Sequence, residues 1–562
     1  MSSAAESLIE TPDHDGAFPR LSENQLARLE AQGERRRTEL DQVLFREGDE
    51  RYDFYVVLEG KVAVVDGYGR VDERLIAVHG ARRFLGELGL LTGQAAFFTA
   101  VVREPGEVLV VSVERLRSLL AHDSALGDLL LRAYFLRREL LIGLGAGFRI
   151  IGSRFSPDTR RLREFVARNR LPHRWIDLEE DSTAEALLRE VGIAPVQTPV
   201  VIWHDEVLRN PSNEELARAV GLRTFAPERT MCDLLVVGAG PSGLAAAVYA
   251  ASEGLDTITI DAVATGGQAG TSSKIENYLG FPAGISGAEL GERATIQARK
   301  FGARIIVPAE AVGLEAEDDR YLIRLGDGGE LRARTVVVAS GARYRRLAVP
   351  RLEEFEGDSV YYAATLMEAQ LCAGDPLVVV GGGNSAGQAT LFLSRYAAEL
   401  RLVVRGGSLT EDMSRYLADR IERSPVEVIL DAEVRELEGE GALDGVIVQS
   451  RVTGERRRLP AKALFVFIGA DPHTAWLRGF LELDSRRFVL TGPIAADALR
   501  DDGRDPRQPL MLETSSPGVL AVGDVRSGSI KRVASAVGEG SMAVRLVHDY
   551  LERAHQHPHH VP

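Results

Sequence analysis

The sequence predicts a multidomain chain: two α/β dinucleotide-binding folds in the second half, preceded by an antiparallel β-roll and a small α/β module. Three observations carry that prediction. First, two glycine fingerprints, Gly238-Ala-Gly-Pro-Ser-Gly243 and Gly381-Gly-Gly-Asn-Ser-Ala386, each follow an apolar, β-branched run (233–237 and 376–380) and open an alanine-rich, helix-like stretch. A buried strand, a tight glycine turn and a helix N-terminus together receive a pyrophosphate on backbone amides and the helix dipole. Second, residues 40–120 alternate short apolar stretches with turn signals, the period-two pattern of an antiparallel roll. Third, 148–222 reads as strand, helix, strand, helix, two strands and a closing helix, a compact α/β order.

At 562 residues the chain is too long for one core. A net charge of −15 argues against general nucleic-acid binding. The most apolar run, 129–144, is interrupted by Arg132, Arg137 and Arg138, so no membrane span is expected. The acidic N-terminus lacks the basic-then-apolar plan of a signal peptide, and the expected location is cytoplasmic. Two cysteines, Cys232 and Cys372, cannot build a disulfide framework, in keeping with a reducing compartment.

In the roll, strands are expected at 43–48, 54–60, 62–65 and 108–112, with Phe84-Leu-Gly-Glu-Leu-Gly-Leu-Leu91 between them and a helical tail over 124–144. This arrangement resembles the cyclic-nucleotide-binding domain family. The resemblance implies Glu87 on a ribose hydroxyl and an arginine on the cyclic phosphate. The family's Pro-Arg is replaced here by Ala95-Ala96. Removing the cation that faces a buried phosphate removes a charge-assisted bond, leaving Arg82, Arg83 and Arg103 as substitutes. The expected reading is therefore a fold kept for docking or dimerisation, with Glu87 a turn residue; nucleotide binding is the alternative.

In the middle module, strands at 148–151, 174–178, 200–203 and 206–208 and helices at 158–169, 184–191 and 213–220 resemble the thioredoxin and glutaredoxin fold. Pro199 would be its cis-proline. Ser153-Arg-Phe-Ser156 stands where the redox cysteines would be, and both serines are expected to cap the following helix.

The second half carries further signals: Asp261 at the end of the strand after the first fingerprint, Gly266-Gly-Gln268, Ile275-Glu-Asn-Tyr278, Val336-Val-Val-Ala-Ser-Gly341, 514–524 ending in Gly523-Asp524, and Ala534-Ser-Ala-Val-Gly-Glu-Gly540. From Cys232 to near Leu551 the chain resembles the low-molecular-weight thioredoxin reductase family of flavoproteins. The resemblance implies FAD held by Gly238, Gly240, Gly243, Asp261, Gly267, Gln268, Asn277, Gly341, Gly523, Asp524, Ser535, Ala536 and Val537. It implies a nicotinamide nucleotide held by Gly381, Gly383, Asn384, Ser385 and Ala386. Arg405 and Arg415 follow the next strand, where guanidinium groups clasp a 2′-phosphate, so NADPH is expected over NADH. The expected domains are 1–147, 148–226, 227–348 with 472–562 for FAD, and 349–471 for NAD(P)H.

One departure decides the reaction. The family's Cys-Ala-Thr-Cys is here Ala363-Ala-Thr-Leu366. Thiol–disulfide exchange needs an attacking thiolate and a resolving partner; neither remains, and no residue of this chain is assigned as catalytic in its own right. The expected function is an FAD-dependent NAD(P)H oxidoreductase passing electrons to a small oxidant, a quinone or a ferredoxin/flavodoxin-type carrier, as a homodimer. Alternatives are a nucleotide- or partner-responsive redox sensor, and thioredoxin reduction through an external thiol. The histidine-rich tail, 555–560, is expected to hold no metal.

Overall fold

The computed structural model describes residues 9–70, 73–181, 188, 193, 197–203, 206–222, 231–272, 274–275, 277–356, 359–362, 364, 366–501 and 508–556. Most of the helix expected over 184–191, the former cysteine position Ala363, and the tail histidines 557, 559 and 560 lie outside the described residues. The chain divides into two compact units, Met1–Glu228 with Ile306–Pro308, and the remainder.

In the first unit, strands β1 (Glu34–Arg37), β2 (Val43–Phe45), β3 (Phe54–Asp66), β4 (Arg74–His79) and β5 (Thr99–Val111) form an antiparallel sheet of order β1-β5-β3-β4, with β2 also on β5. The two strands expected at 54–60 and 62–65 are one strand. Gly60 does not turn the chain. At φ +85 it absorbs a register shift against β5, and a Cβ there would collide with the Glu104 carbonyl. Likewise the strand expected at 108–112 starts earlier, at Thr99.

Helices α1 (Glu23–Glu30), α2 (Leu88–Thr92), α3 (Val113–His122) and α4 (Ser124–Gly143) surround this sheet; Asp123 caps α4 by accepting from the Leu126 amide at 3.1 Å. Alongside lie β6 (Phe148–Gly152), α5 (Pro157–Arg168), β7 (His173–Asp177), β8 (Val200–Trp203), β9 (Glu206–Arg209) and α6 (Asn213–Ala219). Their sheet runs β7-β6-β8-β9, parallel only between β6 and β7. Phe97 and Phe98, in the bend just before β5, share a buried cluster with Phe148 and Trp203 from the second sheet. The Thr198–Pro199 bond is cis. Ser156 caps α5 as expected, whereas Ser153, three residues before that cap, donates its hydroxyl to Glu179 at 2.6 Å and accepts from the Phe155 amide at 3.2 Å.

In the second unit, β10 (Met231–Val237), α7 (Pro241–Ser252), β11 (Thr257–Ile260), α8 (Gly287–Lys300), β12 (Arg304–Ile306), β13 (Ala311–Glu317), β14 (Arg320–Leu325) and β15 (Glu330–Val338) build one sheet layer, order β12-β11-β10-β15-β14-β13. Both neighbours of β10 run parallel to it, so its C-terminal end is a switch point of the sheet. An antiparallel ribbon, β16 (Ala342–Tyr344) with β25 (Ala470–Pro472), carries the chain into and out of an inserted part. That part contains α9 (Leu352–Phe355), β17 (Val360–Tyr361), α10 (Leu366–Leu371), β18 (Pro376–Val380), α11 (Asn384–Leu393), β19 (Glu399–Val403), α12 (Arg415–Glu422), β20 (Glu427–Ile429) and β24 (Ala463–Val466). Its parallel sheet runs β17-β24-β18-β19-β20, beside an antiparallel β21 (Ala432–Glu440), β22 (Ala442–Ser450) and β23 (Arg456–Pro460). After α13 (Gly492–Asp501), β26 (Val519–Ala521) rejoins β15, and α14 (Val533–Gln556) packs Val544 and Val547 against the sheet residues Val236, Val337 and Leu520.

Candidate functional site

Each fingerprint turn is squeezed between two neighbouring strands. Gly238 leaves β10 at φ +110 and donates to the Ile260 carbonyl at 2.7 Å; a Cβ on it would collide with the Ala339 carbonyl beyond β15. Gly243, on the first turn of α7, packs on the Gly238 carbonyl. Gly240 caps α7 with no side-chain hydrogen bond, whereas serine hydroxyls cap α1, α3 and α8. A Cβ at Gly240 would find no atom nearer than the Gly267 Cα at 3.8 Å. A helix whose first amides lack a cap and face space is a cradle for phosphate oxygens, and it fits the pyrophosphate of FAD.

Several of the remaining first-site residues lie against this turn. Asp261 accepts from the Ala239 amide at 2.8 Å and from those of Val263 and Ala264 at 3.0 and 3.1 Å, so its carboxylate ties the fingerprint to the next loop. That loop returns onto the turn: Gly266 donates to the Ala239 carbonyl at 2.7 Å, and a Cβ on Gly267 would lie 2.8 Å from the Gly240 Cα. Gln268 follows it, half-buried; Asn277 is exposed. Gly341 accepts from the His473 amide at 3.0 Å. Gly523 meets α7 and α14, a Cβ there lying 2.6 Å from Ser242 Oγ and 3.9 Å from Ala536 Cβ. Ser535 and Ala536 stand in the first turn of that helix and Val537 begins the second.

Asp524, beside Gly523, is half-buried, and burial pushes its carboxyl above the ordinary range against the pull of Lys531. Its loop is braced by Glu539, which accepts from the Gly523 amide at 2.7 Å and pairs with Arg526. Sequence reasoning missed this brace; its one signal was the glutamate inside Ala534–Gly540.

The second turn repeats the plan. Gly381 leaves β18 at φ +143 and donates to the Val403 carbonyl at 3.0 Å; a Cβ on it would collide with the Phe467 carbonyl. Gly383 caps α11, again without a side-chain bond. Asn384 Oδ1 accepts from the Ser414 amide at 2.7 Å and so fixes the start of α12, where Arg415 is the first residue. Ser385 is exposed and Ala386 buried. Arg405 is exposed just past β19, and Arg451, which the sequence did not single out, donates to its carbonyl at 2.9 Å. The loop is not purely basic: a Cβ on Gly407 would lie 3.6 Å from the Asp431 carboxylate, and one on Gly406 2.5 Å from that of Glu411.

Neither sulfur is reactive. Burial pushes the Cys372 thiol up to about 11, reinforced by the Asp375 carboxylate, and the Cys232 thiol up to about 12. Both cysteines are buried, and a thiol so placed stays protonated at neutral pH. Leu366, at the second former cysteine position, begins α10.

In the first unit Glu87 is buried and bound to protein. Arg138 on α4 donates Nη2 to Glu87 Oε2 at 2.8 Å and Nε to the same oxygen at 3.1 Å. The three arginines offered by the sequence as phosphate ligands have other partners: Arg82 the Leu21 carbonyl, Arg83 the Thr11 carbonyl, Arg103 the Asp41 carboxylate. Ala96 is buried.

Two nucleotide turns on one unit define the class, a flavin- and pyridine-nucleotide-dependent oxidoreductase. The family model for pyridine nucleotide-disulphide oxidoreductases matches residues 232–540, and the chain belongs to that family. A model of the cyclic nucleotide-binding domain matches residues 35–123. The chain is 32% identical to the thioredoxin reductase of Streptomyces clavuligerus across 57% of this chain and 94% of that protein. It is 31% identical to the 34.2 kDa protein in the rubredoxin operon of Clostridium pasteurianum, across 58% of this chain and 98% of that protein. Among solved structures it is similar to the thioredoxin reductase of T. acidophilum, with a TM-score of 0.52 and 29% identity over 57% of this chain and 100% of that one. It is thus a thioredoxin reductase-like, FAD-dependent NAD(P)H oxidoreductase with a cyclic-nucleotide-binding domain at its N-terminus. Among the described residues no helix is long and apolar enough to cross a membrane, and no cluster of side chains could hold a metal ion.

Proposed function

We propose that this chain oxidises NADPH and delivers the electrons to an acceptor other than a protein disulfide. One observation carries the reading: both nucleotide turns are built, while the chain's two thiols are buried and held protonated. FAD, when bound, supplies the capacity to accept a hydride and to release electrons in ones or twos. The residues supply position. The amides of Ser242 and Gly243, beyond Pro241 at the start of α7, would hold the pyrophosphate, Asp261 keeps that turn in place through the Ala239 amide, and Asp524 would meet the ribityl hydroxyls on the loop that Glu539 braces. Gly381, Gly383 and Ala386 receive the nicotinamide nucleotide.

The resemblance of one relative to this chain, a protein named for its place in a rubredoxin operon, supports a small electron carrier of the ferredoxin or flavodoxin type as acceptor. The four-stranded sheet of order β7-β6-β8-β9, with the cis Thr198–Pro199 bond, supports a thioredoxin-like module over 148–226. The ribbon of β16 and β25 supports a nicotinamide domain over 349–471 inside an FAD domain of 227–348 and 472–562, after a first domain of 1–147 that takes β1–β5 as its roll. A homodimer in the cytoplasm completes the proposal.

The test is anaerobic rapid mixing of the FAD-loaded protein with NADPH and with NADH, then with acceptors. NADPH is expected to bleach the flavin within seconds and a flavodoxin- or ferredoxin-type carrier to restore it. Oxidised thioredoxin should restore it at least ~10³-fold more slowly, because no thiolate is present to attack its disulfide. Rapid thioredoxin turnover would overturn the proposal, and failure of both nucleotides would return the chain to the sensor reading. The donor is tested separately. Arg405→Ala should raise KM for NADPH by about 10-fold and leave NADH unchanged, the loss of one charge-assisted contact to a 2′-phosphate. Equal effects on both nucleotides would remove Arg405 from the specificity site.

A further inference from the structure

The first unit contains a cavity of about 270 Å³. It lies between β3 and β4 on one side, the 86–98 segment on another, and the last turns of α4, with Phe45, Ile76, Phe97, Phe98 and Leu141 giving it a mostly hydrocarbon wall. Three residues lining it are buried and carry a polar atom with no partner: Tyr52 Oη, His79 Nδ1 and Glu87 Oε1. An unbonded polar atom in such a wall forfeits its hydration, so a chain that keeps three of them in one cavity gains by offering them to a ligand.

The charges nearby are already engaged. Arg137, which lines the cavity, donates Nε to the Ala17 carbonyl at 2.8 Å, Nη1 to that of Gly86 at 2.8 Å and Nη2 to that of Phe84 at 3.1 Å. Its guanidinium also lies 4.5 Å from the Phe84 ring centre and 5.3 Å from that of Phe18. Arg138 neutralises Glu87 and donates to Gln94 Oε1 at 3.2 Å. His79 is kept uncharged by burial and by the neighbouring Arg137 and Arg83. Ala96 leaves hydrocarbon at the position where the cyclic-nucleotide family has its phosphate arginine.

We infer that this cavity binds an uncharged, largely apolar molecule of one or two rings bearing a hydroxyl, in place of a cyclic nucleotide. A hydroxyl is the smallest group that both donates, to Glu87 Oε1, and accepts, from Tyr52 Oη. The rings replace water against Phe45, Phe97 and Ile76. This inference is independent of the reductase reading, since every residue in it belongs to the first unit.

The full-length, FAD-loaded protein is titrated calorimetrically with 2-naphthol, 2-methylnaphthalene, 2-naphthoate and 3′,5′-cyclic AMP. 2-Naphthol is expected to bind most tightly, and 2-methylnaphthalene about 100-fold more weakly, the worth of the two hydrogen bonds its methyl group cannot make. Tyr52→Phe, which removes one of the two, should weaken 2-naphthol about 10-fold while leaving 2-methylnaphthalene unchanged. Ala96→Leu, which fills the cavity, should weaken both. Retention of the flavin spectrum and of the melting temperature shows that each variant is folded. Affinity for 2-naphthol that is unchanged in both variants would overturn the inference. So would tighter binding of 2-naphthoate, which would make Arg137 an anion ligand, or of cyclic AMP, which would restore the nucleotide.

Discussion

Replacing Arg138 by methionine is expected to destabilise the first unit by about 3–5 kcal/mol, the usual result of removing one partner from a buried ion pair. The side chains of Arg138 and Glu87 are 1% and 9% exposed, so the carboxylate left behind has little access to water. The arginine also stacks at 5.5 Å from the Phe97 ring centre and reaches the Arg170 carbonyl at 3.1 Å, so its loss loosens the join between the first sheet and the adjoining module. The deficit should depend on pH. Burial already pushes the Glu87 carboxyl up, and Arg138 opposes that push. Without the arginine the folded-state pKa rises further above the unfolded value, so stability is retained below about pH 4.5 and lost as pH climbs towards the raised folded value. Guanidinium unfolding followed by Trp175 and Trp203 fluorescence, in a Trp476→Phe background, would show a deficit that shrinks on acidification. The double replacement Glu87→Leu with Arg138→Met should recover most of the loss, because hydrocarbon then fills the wall. A single-variant deficit below about 1 kcal/mol would mean that the pair behaves as a solvated surface bridge.

That ion pair shows where sequence reading stops. Arg137 and Arg138 were legible only as interruptions of an apolar run, because periodicity identifies a charge on a helix but not its partner across the fold. Glu87 and Arg138 are brought together by the packing of α4 on the 86–98 segment, a contact no local pattern encodes. The nucleotide turns were the opposite case. Gly238, Gly243 and Gly381 are required by sterics within a few residues of themselves and by the strands on either side, so their spacing already described the geometry. Intermediate cases failed for local reasons. Gly60 reads as a turn in sequence, yet a glycine opposite the Glu104 carbonyl lets one long strand bulge and continue. Ser153 and Ser156 are equivalent as capping candidates, but only Ser156 stands one residue before a proline-started helix. Arg451 and the Arg526–Glu539 pair reach their sites from remote parts of the chain or from side-chain geometry alone, which spacing does not reveal.

The largest effect on turnover is expected from Gly381→Ala, and its logic rests on comparison with Gly383→Ala. At Gly381 the backbone is at φ +143 and the Phe467 carbonyl occupies the place of a Cβ, so alanine forces β18 and β24 apart where the Phe467 amide donates to the Val380 carbonyl at 2.7 Å. Backbone strain of about 1–3 kcal/mol adds to that collision. At Gly383 a Cβ would meet nothing nearer than the Asp412 carbonyl at 3.9 Å, so alanine disturbs no protein atom and enters only the space before α11. Gly381→Ala should therefore lower the melting temperature and slow flavin reduction by NADPH on the order of 100-fold, about 2.7 kcal/mol in the barrier. Gly383→Ala should slow NADPH reduction as well, by a raised Kd for the nucleotide, with its melting temperature unchanged. Both variants should keep FAD and accept electrons from dithionite at the parent rate, since the first turn lies on the other sheet. A Gly383→Ala protein that binds NADPH normally would place the pyrophosphate elsewhere and remove the second fingerprint from the reaction.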